Sequence, residues 1–257
     1  MPHSGIRAVI FDMGGTLEDL YYDEAVWREA TRQLQHLLGQ HGLDPGLDAD
    51  GLQSAVVAGM AAYQAWREAT EIELPPERVW AEYVFPHNGL PKERLAGAAE
   101  ELTYFYETHY QIRKLRPEAR GVLTALNERG FRLGVISNII SRTVVPRQLA
   151  AYGIAHLLDP VLTSAAFGWR KPNPRIFLEA ARLLGLPPAQ CAYVGDTVSR
   201  DVIGARRAGY GLAVQIRSFL TDKADRGTED ALPDAVIHSL TDILPLVTSH
   251  SETVHGD

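Results

Sequence analysis

The sequence predicts an α/β protein, a parallel sheet flanked by helices, with a helical block inserted after the first strand. Three observations predict it. A β-branched apolar run near the N-terminus, Ala8–Phe11, stops at an Asp and a Gly-Gly pair, as a strand buried on both faces does before a tight loop. From Arg116 onward, apolar runs of strand length alternate with amphipathic stretches, the pattern of repeated βα units. Between the two, helical spacing dominates and strand signals are few.

The helical block reads as four stripes. Trp27, Ala30, Leu34, Leu37 and Leu38 share one helical face, with a stop expected near Gly39 or Gly42. Leu52, Val56, Val57, Met60 and Tyr63 make the second stripe. Val79, Trp80, Tyr83 and Val84 make the third, entered after Pro75-Pro76. Leu95, Ala98, Ala99, Leu102, Phe105, Tyr106 and His109 make the fourth, entered at Pro91. These aromatics read as helix-packing core. His36, His41, His87 and His109 lack metal-ligand spacing and read as structural.

In the second half, Pro117 opens a helix through Val122, Leu123 and Leu126 that stops at Gly130. RLGVISN (Arg132 to Asn138) is a buried strand, followed by a helix near Val144 to Tyr152. Val161 to Ser164 is a short strand, and Pro174 opens an amphipathic helix stopped at Gly185. Cys191 to Asp196 is a strand followed by a helix to Gly209. Leu212 to Ile216 is the next strand, and Ala235 to His238 a short edge strand before a final helical turn. The tail from about Ser249 is polar and is expected to be loose.

Composition sets bounds. Hydrophobic residues at 46% and charged residues at 22% are those of a globular chain with ample core. A net charge of -7 and the lack of a concentrated basic run argue against a nucleic-acid partner. No stretch is apolar and long enough to span a bilayer. One cysteine, Cys191, excludes an internal disulfide and, with no signal-peptide pattern, points to the reducing cytoplasm. Cys191 itself sits in an apolar run and reads as core.

Four stretches carry chemistry. Asp12 ends the first strand, at the edge where open α/β sheets place ligands; alone it would read as a turn residue. Ser137 ends another strand, where a hydroxyl beside backbone N–H groups can hold a phosphoryl or carboxyl oxygen. Lys171 lies in WRKPNP, stiffened by Pro172 and Pro174, where a fixed ammonium can neutralise an anionic oxygen. Arg170 beside it is the weaker candidate. Asp196 ends the next strand and Asp201 follows five residues on, a pair able to share one hard cation such as Mg²⁺.

This constellation resembles the haloacid dehalogenase-like (HAD) hydrolase superfamily. Asp12 with Thr16, Ser137, Lys171 and Asp196/Asp201 fall on its four motifs in order, over most of the chain. The resemblance implies a Rossmann-like core of residues 1–17 and 116–248, its sheet built around the first and fourth motif strands. It implies a helical type 1 cap domain of residues 18–115 inserted after the first strand, and leaves 249–257 as tail. It further implies that Asp12 is a nucleophile forming an aspartyl-phosphate. Asp12, the carbonyl of Gly14 and Asp196 would hold Mg²⁺, and Asp201 would support them. Ser137 and Lys171 would bind phosphoryl oxygens, with Thr16 and Asn138 also in the substrate-binding set.

One position departs from the family. Its phosphatases read Asp-x-Asp, the second Asp being the general acid/base; here that position is Gly14. General acid–base catalysis contributes roughly 10²–10⁴-fold, so ordinary phosphate esters should turn over slowly. Glu18 and Asp19 are the nearest spare carboxylates. The family's dehalogenases carry an aromatic there and need no metal, whereas this chain keeps Asp196 and Asp201. Its phosphonoacetaldehyde hydrolases carry a small residue there but use an early cap lysine, and this block offers only Lys92 and Lys114, both late. The expected function is therefore a Mg²⁺-dependent phosphatase of a small phosphorylated metabolite. The alternative is a weak or non-catalytic phospho-ligand binder. The sequence specifies neither the substrate nor the oligomeric state.

Overall fold

The structure is a computed structural model that describes residues 5–219, 221 and 232–247; the tail expected from Ser249 lies outside the described residues. Two compact units divide the chain. One comprises the chain up to Leu20, Lys114–Asn138 and the chain from Val145; the other comprises Tyr21–Arg113 and Ile139–Val144.

The first unit is built on a parallel sheet. Its strands are β1 (Ala8–Phe11), β4 (Arg132–Ser137), β5 (Val161–Thr163), β6 (Cys191–Gly195), β7 (Leu212–Ile216) and β8 (Ala235–Ile237), in the order β5-β4-β1-β6-β7-β8. Each pairing is parallel. β1 lies between β4 and β6, and all four of its residues are buried, which is why it reads as an unbroken apolar run. In register, Phe11 meets Val135 on one side and Val194 on the other. Ser137 and Asp196 therefore lie one step past the level of Asp12. Ala8 and Ile10 face a cluster formed with α8 (Pro174–Leu183) and α9 (Ile203–Arg207), through Phe177, Ala180 and Ala205. Asn173 caps α8 by accepting from the Arg175 N–H, and Pro174 takes its first turn.

Details of the elements differ from expectation for local reasons. β5 stops at Thr163, because Thr163 caps a short helix, Ser164–Phe167. The helix expected from Pro117 is α5 (Ala119–Glu128), whose Ala119 N–H returns to the Arg116 carbonyl. Two strands fell within or beside the expected helical block: β2 (Glu18–Tyr21) and β3 (Ile112–Leu115), which form a separate two-stranded sheet.

The second unit is helical: α1 (Glu24–Gln40), α2 (Ala49–Thr70), α3 (Pro76–Val79) continuing as a wider π-type turn over Trp80–Val84, and α4 (Lys92–His109). Asp23 and Asp48 cap α1 and α2 through their side-chain oxygens. Leu34, Leu38, Val56, Tyr63, Trp80 and Leu102 form its core. Val57 was expected in that core but is 38% exposed, since Val56 takes the inward position. His109 is likewise exposed and stacks on Phe105. A residue outside the stripes, Glu107, is buried and holds the segment 139–144. Its Oε1 accepts from the Ile140 N–H at 2.8 Å and its Oε2 from the Ser141 N–H at 2.9 Å. Glu100 accepts further bonds from Ser141 and Thr143. No described helix is long and apolar enough to cross a membrane.

Candidate active site

All the residues singled out for chemistry belong to the sheet unit, gathered at the C-terminal ends of β1, β4 and β6. Asp12 leaves β1 with its N–H bonded to the Val194 carbonyl of β6, which fixes the tip of the strand. The chain then turns back on itself: the N–H groups of Leu17 and Glu18 return to the Met13 carbonyl. Gly15 sits at φ +84, and a Cβ there would lie 2.2 Å from Asp196 Oδ2. The position needs glycine both for backbone conformation and for close approach. Gly195 is needed for a similar reason, since a Cβ there would meet Asp201 Cγ at 2.3 Å.

Lys171 is the hub. Its Nζ contacts Asp12 Oδ1 at 2.8 Å and donates to Asp201 Oδ1 at 2.7 Å and to the Tyr193 hydroxyl at 2.9 Å. Its backbone is held by Asn138, which donates to the Lys171 carbonyl and accepts from the Lys171 N–H. Asn138 thus positions Lys171 through both ends of its amide. Asp12, Asp196 and Asp201 each offer one oxygen within 4.8 Å of the others. Ser137 is buried at the end of β4. Thr16 is fully buried, and its Oγ1 has no hydrogen-bond partner.

The three carboxylates differ in how many oxygens they have left. Asp201 uses both: Oδ1 on Lys171, and Oδ2 on the N–H and hydroxyl of Thr197. Asp12 Oδ1 takes Lys171 and the Met13 N–H, leaving Oδ2 without a partner in a side chain that is 11% exposed. Asp196 Oδ2 takes the Ser218 hydroxyl, and its Oδ1 is buried with no partner. Electrostatics follow the same division. Burial is the largest influence on Asp12 and raises its pKa against the pull of Lys171. Burial, with Asp201 and Asp12 nearby, pushes Asp196 up to about 7. At Asp201 burial also opposes the charge, but Lys171 and Arg200 hold its pKa below the usual carboxylate range.

An orphaned buried carboxylate oxygen beside a second free carboxylate oxygen fits a hard divalent cation, which takes oxygen donors of this kind. Asp12 and Asp196 are the residues able to hold it. Gly14 lies in the same loop, bridged to Glu18. Asp201, with both oxygens taken by the chain, stands behind them.

Glu18 and Asp19 do not join this cluster. Glu18 is buried and accepts from the Tyr152 hydroxyl, and Asp19 is 59% exposed and paired with Arg116. Lys92 and Lys114 are exposed. Several supporting residues were not singled out by the sequence. Gln215 and Thr221 donate to the Asp196 carbonyl, and Arg116 donates to the carbonyls of Gly15 and Arg217. Gln215, polar and buried in β7, is the one that its position in an apolar strand could have flagged.

The family model for haloacid dehalogenase-like hydrolases matches residues 6–209. A glyceraldehyde 3-phosphate phosphatase of Methanopyrus kandleri is 30% identical over 242 residues, covering 94% of this chain and 97% of the relative. Two solved structures share the fold. A 2-haloacid dehalogenase from Pseudomonas syringae has a TM-score of 0.64 at 24% identity, covering 93% of this chain and 96% of that one. A HAD phosphatase from Thermococcus onnurineus has a TM-score of 0.61 at 23% identity, with the same coverages. The ordered motif residues, the parallel sheet that gathers them and the match across most of the sequence agree: this chain belongs to the haloacid dehalogenase-like hydrolase family.

Proposed function

We propose that the chain is a Mg²⁺-dependent phosphatase of a small phosphorylated metabolite, with Asp12 as nucleophile. The observation that carries the reading is the pair of unengaged oxygens, Asp12 Oδ2 and Asp196 Oδ1, on two clustered carboxylates, the first of which also meets the Lys171 ammonium. Long relatives named as phosphatases of glyceraldehyde 3-phosphate and of phosphoglycolate support phosphate as the reacting group. Asp12 and Asp196, with the Gly14 carbonyl, would hold Mg²⁺, which when bound supplies positive charge to a phosphoryl group. Asp12 Oδ2 attacks phosphorus, the bond to the leaving oxygen breaks, and an aspartyl-phosphate results. Lys171 stays within reach of the transferred oxygens and balances their charge, with Ser137 as a hydroxyl donor. Water then cleaves the aspartyl-phosphate and frees Asp12.

Gly14 has no side chain to protonate the leaving oxygen, and Glu18 and Asp19 are engaged elsewhere. Solvent must supply that proton, so acyl and aryl phosphates, whose leaving groups are acidic, are the preferred substrates. Residues 18–115 would act as cap domain and 1–17 with 116–248 as catalytic core, in a cytoplasmic protein that uses neither nucleic acid nor membrane. Limited proteolysis should cut first near 18 and 115; cleavage without that preference counts against this division.

A panel of aryl, acyl and alkyl phosphates, assayed with and without Mg²⁺, tests the function. Hydrolysis that needs Mg²⁺ and favours the activated esters is expected. Mg²⁺ affinity unchanged by calorimetry in Asp196→Ala would overturn the metal assignment. If no ester turns over in the wild type or in Gly14→Asp, the chain is a phospho-ligand binder instead, a reading that the missing acid at position 14 favours.

A further inference from the structure

We propose that Tyr193 is a positioning residue, whose hydroxyl fixes the Lys171 ammonium as it moves from the resting contacts to a bound phosphoryl group. The proposal rests on reading Lys171 as the group that meets phosphoryl oxygen.

An ammonium has three N–H groups. Those of Lys171 meet three oxygens of the chain, on Asp12, Asp201 and Tyr193. Only Asp12 opens to solvent; the Asp201 side chain and Tyr193 are about 1% exposed. When an anion arrives, the Asp12 contact is the one that can be exchanged, and the other two must act as the pivot.

The pivot is built. The Tyr193 hydroxyl donates its only proton to the Ile136 carbonyl of β4 at 3.2 Å, so its lone pairs are left for Lys171. The Ile136 carbonyl precedes Ser137, so one hydroxyl ties the ammonium to the strand end that carries the Ser. The ring is enclosed. It packs edge-on to Phe177 with centroids 4.9 Å apart and lies 6.3 Å from Tyr210, inside the α8–α9 cluster. The Lys171 Nζ lies 5.4 Å from the ring centroid and 2.9 Å from the hydroxyl, so it sits off the hydroxyl end of the ring and the hydroxyl is the atom that holds it.

Tyr193→Phe removes the hydroxyl and keeps the ring. Tyr210→Phe is the matched control, since it removes another buried hydroxyl, bonded to the Phe177 carbonyl, in the same aromatic cluster but not at Lys171. Inorganic phosphate is titrated calorimetrically into the wild type, Tyr193→Phe, Tyr210→Phe, Lys171→Met and the Tyr193→Phe/Lys171→Met double variant, with kcat and KM for an aryl phosphate measured alongside. Tyr193→Phe should lose about 10-fold in phosphate affinity and in kcat/KM, the scale of one hydrogen bond to a charged group. Tyr210→Phe should match the wild type, and adding Tyr193→Phe to Lys171→Met should change nothing further. Wild-type values for Tyr193→Phe, equal losses in both Phe variants, or additive losses in the double variant each overturn the proposal. Phosphate binding with this pattern but without turnover sinks the phosphatase reading and leaves Tyr193 in place. No phosphate binding by the wild type overturns both.

Discussion

In the sheet unit three aspartates cluster, two of them share one ammonium, and Asp12 and Asp196 each leave one oxygen unmatched. In the helical unit Glu73 and Glu107 are as deeply buried, yet their partners are fixed donors. Glu107 has a main-chain N–H for each oxygen, and Glu73 has the Tyr63 hydroxyl and, at 3.6 Å, Arg67. Both arrangements shift acidity. Burial pushes Glu107 up to about 7, despite the N–H groups of Ile140 and Ser141, as it does Asp196. A perturbed buried carboxylate therefore does not by itself separate chemistry from architecture. The oxygen count does for these carboxylates: those of Glu107 are matched within the fold, and those of Asp12 and Asp196 leave room for a ligand.

The comparison breaks if the largest expected effect is missing. Asp12→Asn should cut turnover on the order of 10⁴–10⁶-fold, as loss of a nucleophile does, while thermal unfolding still shows a folded chain. Residual activity near the wild-type rate would mean that another group attacks phosphorus. Next in size, Gly14→Asp should raise kcat on alkyl phosphates by roughly 10²–10⁴-fold, about 3–5 kcal/mol of barrier, and raise aryl rates far less. Unchanged rates, together with loss of activity in Glu18→Gln or Asp19→Asn, would place the acid outside position 14.

On the helical side the expected effects are on stability. Leu34→Ala, in the core of α1, should cost about 2–5 kcal/mol in urea unfolding without weakening phosphate binding at 10 °C, where the chain stays folded. The smallest effect is the most specific. A carboxyl whose folded pKa is raised favours folding when protonated. That stability is fully present below about pH 4.5 and is lost as pH rises through about 7. The wild type should thus lose up to about 3 kcal/mol from Glu107 over this window, with Asp196 adding a slope of the same sign. Glu107→Gln should flatten the fall in unfolding free energy between pH 5 and 8; an unaltered slope would show that Glu107 does not titrate there.

Strands such as β1 and β6 were legible because burial on both faces forces unbroken apolar runs, and α8 because Pro174 and its apolar stripe mark start and face. β2 and β3 were not, since each is four residues long and half exposed, with one charged residue, Asp19 or Lys114, at an open position. The motif aspartates and Lys171 could be named from sequence, but not the division of labour among them. That Asp201 is fully engaged while Asp196 keeps a bare oxygen depends on Thr197 and Ser218, the latter 22 residues away from Asp196. That Asn138 turns its amide to the backbone of Lys171 depends on a partner 33 residues away. The Ser218 and Asn138 pairings belong to the folded chain and leave no local pattern.

The segment held by Glu107 and Glu100 bears on how this protein could be trimmed. Excising residues 21–113 looks simple, because β2 and β3 already run side by side at the two cuts. The remaining chain would still carry residues 139–144, whose anchoring carboxylates would be gone. Ile140, buried in the helical unit's core, would become a greasy spot on the surface directly beyond Ser137 and Asn138. A minimal version therefore requires rewriting that strip, with polar replacements at Ile139 and Ile140 and a turn that closes without help, before its solubility says anything about the sheet alone.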